Sequence, residues 1–297
     1  MRLRDLGEEG LIRRIARTIR TGPEVLRGIG DDCAVLKGDG RMLRLFASDM
    51  LVEGVHFTRN APADRVGWKA LAVNVSDVAA MGGLPRQAVV SLGLPRATSV
   101  SFVDGLYRGL RRCAAAYGVD LVGGDTGRAP VVVVDVAILG EVEKERVVYR
   151  SGARPGDALL VTGRLGGSLR SGRHLRFHPR LREARLLTAR MKLHAMMDLS
   201  DGLGPDLLKM CEASGVSAVL EGARIPRNAG CSLGQALNDG EDFELLVAAA
   251  PRDAEDLRRA GLRRVGTVVP SKGKPAVALI TPRGMPAPRG TAGFRHF

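Results

Sequence analysis

The pattern of apolar segments predicts two α/β domains, in the broad sense that includes α+β, within a chain of 297 residues. Three observations carry this. Strand-like runs alternate with helix-like ones in both halves of the chain. The stretch RSGARPGD at 150–157 breaks the alternation with glycine, proline and polar residues, which sets a domain edge between 1–149 and 150–297. The length suits one large domain or two medium ones, each able to bury a core.

Taken in order, Leu11, Ile12, Ile15 and Ile19 fall at helical spacing, so 3–19 is expected to be an amphipathic helix. CAVL (33–36) and MLRLFA (42–47) read as strands, the second ending at Ser48-Asp49. DRVGWKALAVNVSDVAAM (64–81) reads as a long helix, stopped by Gly82-Gly83 and Pro85. QAVVSLGL is a strand, and Phe102, Val103, Leu106, Leu110, Ala114 and Tyr117 mark one face of the next helix. VDLVGGD and VVVVDVAILG follow as strands. The latter is expected to be buried, and it is too short and too interrupted by Asp135 to span a membrane. Beyond the edge, ALLVTG is a strand and 179–191 a helix, and MMD is a short strand leading into the helix of SDGLGPDLLKMCEASG. VSAVLEG, FELLVAAA and LRRVGTVV are strands, with DAEDLRRA helical between the last two.

Composition narrows the function. The content of 45% hydrophobic and 26% charged residues is that of a globular protein. No apolar run reaches the roughly 20 residues of a membrane helix, and MRLRDLGEEG opens no secretory signal. Cys33, Cys113, Cys211 and Cys231 lie far apart without metal-site spacing, so reduced thiols and a cytoplasmic location are expected. The net charge of +13 raises the question of nucleic acid, but the arginines are dispersed and aromatic residues for stacking are few. The densest basic stretch, 163–185, suits the phosphates of a small ligand equally well.

Against this basic background stand acids beside small residues: Asp31 and Asp32 in GIGDD, Asp49 in FASD, Asp77 in NVSD, and Asp125 in GGDT. Asp198 and Asp201 in DLSDG, and Glu241 and Asp242 in GEDFEL, complete the set. Each alone is an ordinary turn or cap residue. Together, at several apparent strand ends, they call for cations, and magnesium suits oxygen donors and phosphates. His56 stands close after Asp49, open between a structural role and a ligand contact. GIGDD, GGDT and TGRLGGS would let backbone N–H groups approach phosphate. The P-loop, protein-kinase and dinucleotide-binding signatures are absent.

In this order, GIGDDCAVL, ASDMLVEGVHF, WKALAVNVSDVAAMGGLPRQAVVSLGLP, LVGGDTGR, RSGARPGD, DLSDGLGPDL and DGEDFEL closely resemble the thiamine-monophosphate kinase family. That family belongs to the aminoimidazole-ribonucleotide-synthetase-like superfamily. The resemblance implies two α/β domains, with N-terminal domains pairing in a homodimer. It also implies phosphorylation of thiamine monophosphate by ATP with several Mg²⁺ ions, and no general base. Most ligands would come from 1–149, with 150–297 adding nucleotide, metal and substrate contacts. By position, Asp32, Ser48, Asp49, Asp77, Asp125, Asp198 and Asp201 match metal ligands. Gly124, Asp125, Arg150 and Ser200 match nucleotide contacts, and His56, Glu241 and Phe294 match substrate contacts. Ala47 stands where the family has a second hydroxyl, Arg176-Phe177 replaces an Arg-Pro pair, and 163–174 is shortened. The rival readings are another synthetase of the superfamily, of the aminoimidazole-ribonucleotide or selenophosphate type, or a non-catalytic basic protein binding RNA or polyphosphate. A selenophosphate enzyme would carry a reactive cysteine ahead of Cys33, and a hydrogenase-maturation enzyme would end in cysteine rather than Phe297.

Overall fold

Apolar residues at every second position of three eleven-residue strands build the first of two sheets. The computed structural model describes residues 2–280. In this sheet β1 (Val25–Arg27), β2 (Ala34–Lys37), β3 (Met42–Val52), β4 (Leu84–Leu94), β5 (Asp120–Arg128) and β6 (Val133–Glu143) lie in the order β1-β2-β3-β6-β4-β5. All neighbours are antiparallel except β4 and β5. Leu43, Leu45 and Leu51 of β3, Ala88, Val90 and Leu92 of β4, and Val134, Val136 and Ile138 of β6 point to the inner face and are buried. The outer face leaves Phe46, Met50, Val89 and Leu139 exposed. The apolar run at 131–140 is therefore a half-buried strand, with Asp135 on the outer face.

Helix α2 (Ala63–Ala80) lies on the inner face, with α3 (Val100–Tyr117) behind it. Glycines let these helices touch. A Cβ on Gly67 would sit 1.9 Å from the Leu106 carbonyl oxygen, and one on Gly109 1.9 Å from that of Asp64. α2 is buried nearly all round, because its remaining side meets the second sheet.

That sheet has the order β12-β9-β11-β7-β10-β8. It is built from β7 (Ala158–Val161), β8 (Ala195–Asp198), β9 (Ser217–Glu221), β10 (Leu245–Ala249), β11 (Arg263–Val269) and β12 (Val277–Ile280). β7, β8 and β10 are buried throughout, since both faces are covered. One face packs on α6 (Leu203–Ser214) and α7 (Leu233–Asn238). The other packs on α5 (Leu181–Arg190), α8 (Ala254–Arg259) and the end of α2. A four-residue helix, α4 (Ser168–Ser171), lies in the basic segment.

Two expectations change. The N-terminal helix α1 (Leu3–Ala16) is interrupted at Gly7 (φ 68°, ψ 171°), buries no residue and ends before Ile19. Its apolar positions are present, but no core surface lies beneath them. β3 does not end at Ser48-Asp49 but runs on to Val52. Among the described residues no helix is long and apolar enough to cross a membrane.

Candidate active site

The acids reach one place by three routes. Asp77 sits on the last turn of α2, so the helix carries a carboxylate into the space between the sheets. Asp198 ends β8, and Ser76 of α2 donates to its Oδ2 at 2.5 Å. Asp32 comes from the turn before β2, where Arg150 Nη2 donates to its Oδ1 at 2.6 Å. Carboxylate oxygens of Asp32, Asp77 and Asp198 all lie within 4.8 Å of one another.

Asp31 takes the other part of its turn. Its Oδ1 accepts from the Arg150 backbone N–H at 3.0 Å, and its Oδ2 pairs with Arg27 Nε at 3.1 Å. The Asp32 Oδ2 atom is buried with no hydrogen-bond partner among the described residues. A buried, unpartnered carboxylate oxygen facing two further carboxylates is a donor set for a hard divalent cation.

Their electrostatics express the crowding. Burial raises the Asp77 carboxyl well above its usual range, and Asp49, Asp198 and Asp32 push it further. Asp198 is raised by burial and then by Asp32. Burial lifts Asp49 to about 6, although a hydrogen bond with Asp77 works the other way.

A cavity of about 300 Å³ opens beside this cluster, lined by Asp49, Asp77, Asp198, Ser200, Asp201 and Glu241 on its acidic side. Leu51, Val73 and Phe243 supply apolar surface, and His56, Lys209 and Glu8 complete the wall. The DLSDG and GEDFEL motifs meet here because their backbones continue the β8–β10 pairing. Leu199 N–H donates to Glu244 O (2.8 Å), Phe243 N–H to Leu199 O (2.8 Å), and Glu241 N–H to Ser200 O (2.6 Å). Glu241 and Phe243 both hold left-handed backbone, φ 57° and 50°. Such strain persists only where the surroundings fix it. Phe243 stacks on Phe177, with ring centroids 4.2 Å apart.

Not every residue matched by position gathers here. Ser48 and Asp49 are consecutive on a strand, so they face opposite ways. Ser48 Oγ donates to Asp135 Oδ1 (3.0 Å) on the outer face. Asp125 also lies on that face, on the exposed edge strand β5, where its register partner Ser91 is in turn the partner of Asp135. Gly124 beside it is required, because a Cβ there would sit 1.8 Å from the Val90 carbonyl oxygen. The positions divide into an inner group (Asp32, Asp49, Asp77, Asp198, Asp201) and an outer one (Ser48, Gly124, Asp125). Asp201 is already paired with Lys209 at 2.5 Å. Phe294 lies outside the described residues.

The basic segment differs from a phosphate-facing loop. Arg173 pairs with Asp242 (2.6 Å), and Arg180 holds Glu244 through Nε (2.7 Å) and Nη2 (2.8 Å). These arginines neutralise buried acids of the second domain.

Lys69, Ser76 and Lys209 were not read from the sequence as site residues. Lys69, Ser76 and Asp77 occupy positions i, i+7 and i+8 on one side of the mostly apolar α2, a weak signal because a lone lysine on a helix also reads as a solvated side chain. Burial lowers the Lys69 ammonium, opposed by the Glu241 carboxylate.

Comparison with known proteins gives the family and the fold. Residues 30–142 match the family described as AIR synthase related protein, N-terminal domain, and 154–277 its C-terminal domain. A thiamine-monophosphate kinase of Rhodopirellula baltica is 36% identical over 286 residues, covering 88% of this chain and 89% of that protein. One of Aquifex aeolicus is 37% identical over 276 residues, covering 83% and 87%. The solved structure of AaThiL complexed with AMPPCP and TMP superposes with a TM-score of 0.87 at 32% identity, covering 100% of this chain and 99% of that one. The chain belongs to the thiamine-monophosphate kinase family and has its two-domain AIR synthase related fold.

Proposed function

We propose that the chain transfers the γ-phosphoryl group of ATP to thiamine monophosphate, giving thiamine diphosphate, with Mg²⁺ held by the inner carboxylates. The observation that carries this is the convergence of Asp32, Asp77 and Asp198 within 4.8 Å, beside a cavity that also presents His56 and Glu241. The donors are hard oxygens and one is an orphaned buried atom, so they fit magnesium. When bound, the metal supplies positive charge between two anionic substrates and on the transferring group.

The chain's own groups have separate tasks. The attacking atom is a phosphate oxygen of thiamine monophosphate, anionic near neutral pH, so no side chain has to remove a proton. Asp32, Asp49, Asp77 and Asp198 would hold the metal, with Asp201 as a further ligand, while Ser48 and Asp125, on the opposite face of the first sheet, would hold a metal apart from this cluster. Ser76 and Arg150 fix two of these carboxylates in place. Gly124, Asp125, Arg150 and Ser200 would contact the nucleotide. Arg150 is suited to this because its guanidinium can bind phosphate oxygens as it now binds Asp32. His56, Glu241 and Phe294 would contact the thiamine moiety. Transfer is direct and in line, with most ligands in 1–149 and the remaining contacts from 150–297.

The reading extends to assembly and place. The uncovered Phe46, Met50, Val89 and Leu139 of the first sheet support pairing with a second copy through the N-terminal domain. The four cysteines are unpaired, three of them buried, which supports a reducing cytoplasm. Nucleic acid is no part of the proposal.

The experiment offers the purified chain ATP and Mg²⁺ with thiamine monophosphate, the aminoimidazole-ribonucleotide precursor, or selenide, and separates products chromatographically. Thiamine diphosphate alone is expected. Turnover of either other substrate in its absence contradicts the reading.

A further inference from the structure

Lys69 has no solvent-exposed surface, yet it ends at the wall of the cavity. Its ammonium donates to the His56 carbonyl oxygen at 2.9 Å and pairs with the Glu241 carboxylate. His56 and Glu241 line the cavity, whereas Lys69 stands behind them. The three come from different places: Lys69 from α2, His56 from the turn after β3, and Glu241 from the strained loop before β10. One ammonium therefore joins two cavity walls that belong to different domains.

Elementary electrostatics gives this a consequence. A carboxylate as buried as Glu241, 5% exposed, would tend to take up a proton without a cation beside it. The Lys69 ammonium in contact balances that charge and holds the carboxylate at the cavity wall. A carboxylate acceptor held in place beside a fixed histidine selects a heteroaromatic ring carrying amino N–H donors. The aminopyrimidine, the ring of thiamine monophosphate remote from the reacting phosphate, is such a ring.

We propose that Lys69 is a positioning residue that sets specificity for the amino-bearing heteroaromatic ring of the substrate, remote from its phosphate, by holding Glu241 and the His56 backbone. The inference rests on the proposed function and deepens it. The contacts of its ammonium are with Glu241 and the His56 carbonyl, so it acts through these groups and not on the transfer step.

The test is a cycle of four full-length proteins: wild type, Lys69→Met, Glu241→Gln and the double variant. For each, KM is measured for thiamine monophosphate and for ATP, together with kcat and melting temperature. Lys69→Met is expected to raise KM for thiamine monophosphate by about ten- to a hundredfold, the value of a hydrogen bond to a charged group. KM for ATP should stay within about twofold. The double variant should be no worse for thiamine monophosphate than Glu241→Gln alone, because Lys69 works through that residue. Where Lys69→Met does not fold, Lys69→Gln enters the same cycle with the same expectations. A lowered melting temperature with unchanged KM for thiamine monophosphate makes Lys69 purely structural and overturns the inference. Losses that add in the double variant, or a parallel rise in both KM values, overturn it as well. Wild type that makes no thiamine diphosphate overturns the proposed function, and this inference with it.

Discussion

Three carboxylates whose oxygens lie within 4.8 Å repel one another, and burial raises the cost of each charge. Asp77 stands at the centre of this, pushed up by burial and by Asp49, Asp198 and Asp32. Removing its charge should relieve the metal-free protein while destroying the donor set. Asp77→Asn is therefore expected to melt about 2–4 °C above wild type without metal, the shift of about 1 kcal/mol in a chain of this size. It should also lose the rise in melting temperature that Mg²⁺ gives wild type. Thermal melts with and without Mg²⁺ check both. An Asp77→Asn protein that melts lower and still responds to Mg²⁺ contradicts the assignment. Asp32, Asp77 and Asp198 were legible because each lies in a motif with glycine or serine beside an acid. Lys69 was not, since one lysine in a helix reads as a solvated side chain, and only the all-round burial of α2 removes that reading.

At the level of elements, the site depends on α2 lying close enough to both sheets to present Lys69, Ser76 and Asp77. Gly67 and Gly109 allow α3 to press against its back. Gly109→Ala would place a methyl carbon against the Asp64 carbonyl and force the helices apart. It should destabilise by about 1–3 kcal/mol, as overpacking does. Chemical denaturation measures this, and stability equal to wild type would show that the crossing is looser than described. Periodicity revealed the long strands and helices. It missed β1, β12, α4 and α7, which are too short to show a period. It also ended β3 too early, because Ser48 and Asp49 look like a turn when read as a pair. On the strand they separate, Ser48 to Asp135 on the outer face and Asp49 to the cavity.

Across the whole molecule, the two sheets are tied by polar contacts as well as by α2. Arg185 of α5 donates to both oxygens of Glu143 at the end of β6, each at 2.7 Å, and also to the Gly82 carbonyl. The hydrogen bonds from Arg185 lower the Glu143 carboxyl from 4.5 to about 2. A depressed carboxylate adds stability above its unfolded value and loses it as pH falls through the folded one. This contribution is thus complete above about pH 4.5 and fades toward pH 2. Glu143→Gln should lower the melting temperature at neutral pH by a few degrees at most, given the partial exposure of the pair. It should also flatten the decline between pH 4.5 and 2. Unaltered melting curves across that range would show that the pair adds nothing. The two-domain α/β fold was readable from the alternation of strands and helices in both halves. The joining of the halves was not, because Glu143–Arg185, Lys69–Glu241 and Ser76–Asp198 pair residues far apart in sequence.

The central claim, that these inner carboxylates serve phosphoryl transfer between ATP and thiamine monophosphate, is met most directly by one label-transfer measurement. Wild type and Asp77→Asn are each incubated with γ-labelled ATP, Mg²⁺ and thiamine monophosphate, and label in thiamine diphosphate is followed over time. Label should appear with wild type, depend on Mg²⁺, and fall at least about a hundredfold with Asp77→Asn. Label accumulating equally with both proteins, or without added Mg²⁺ in the presence of a chelator, would contradict it.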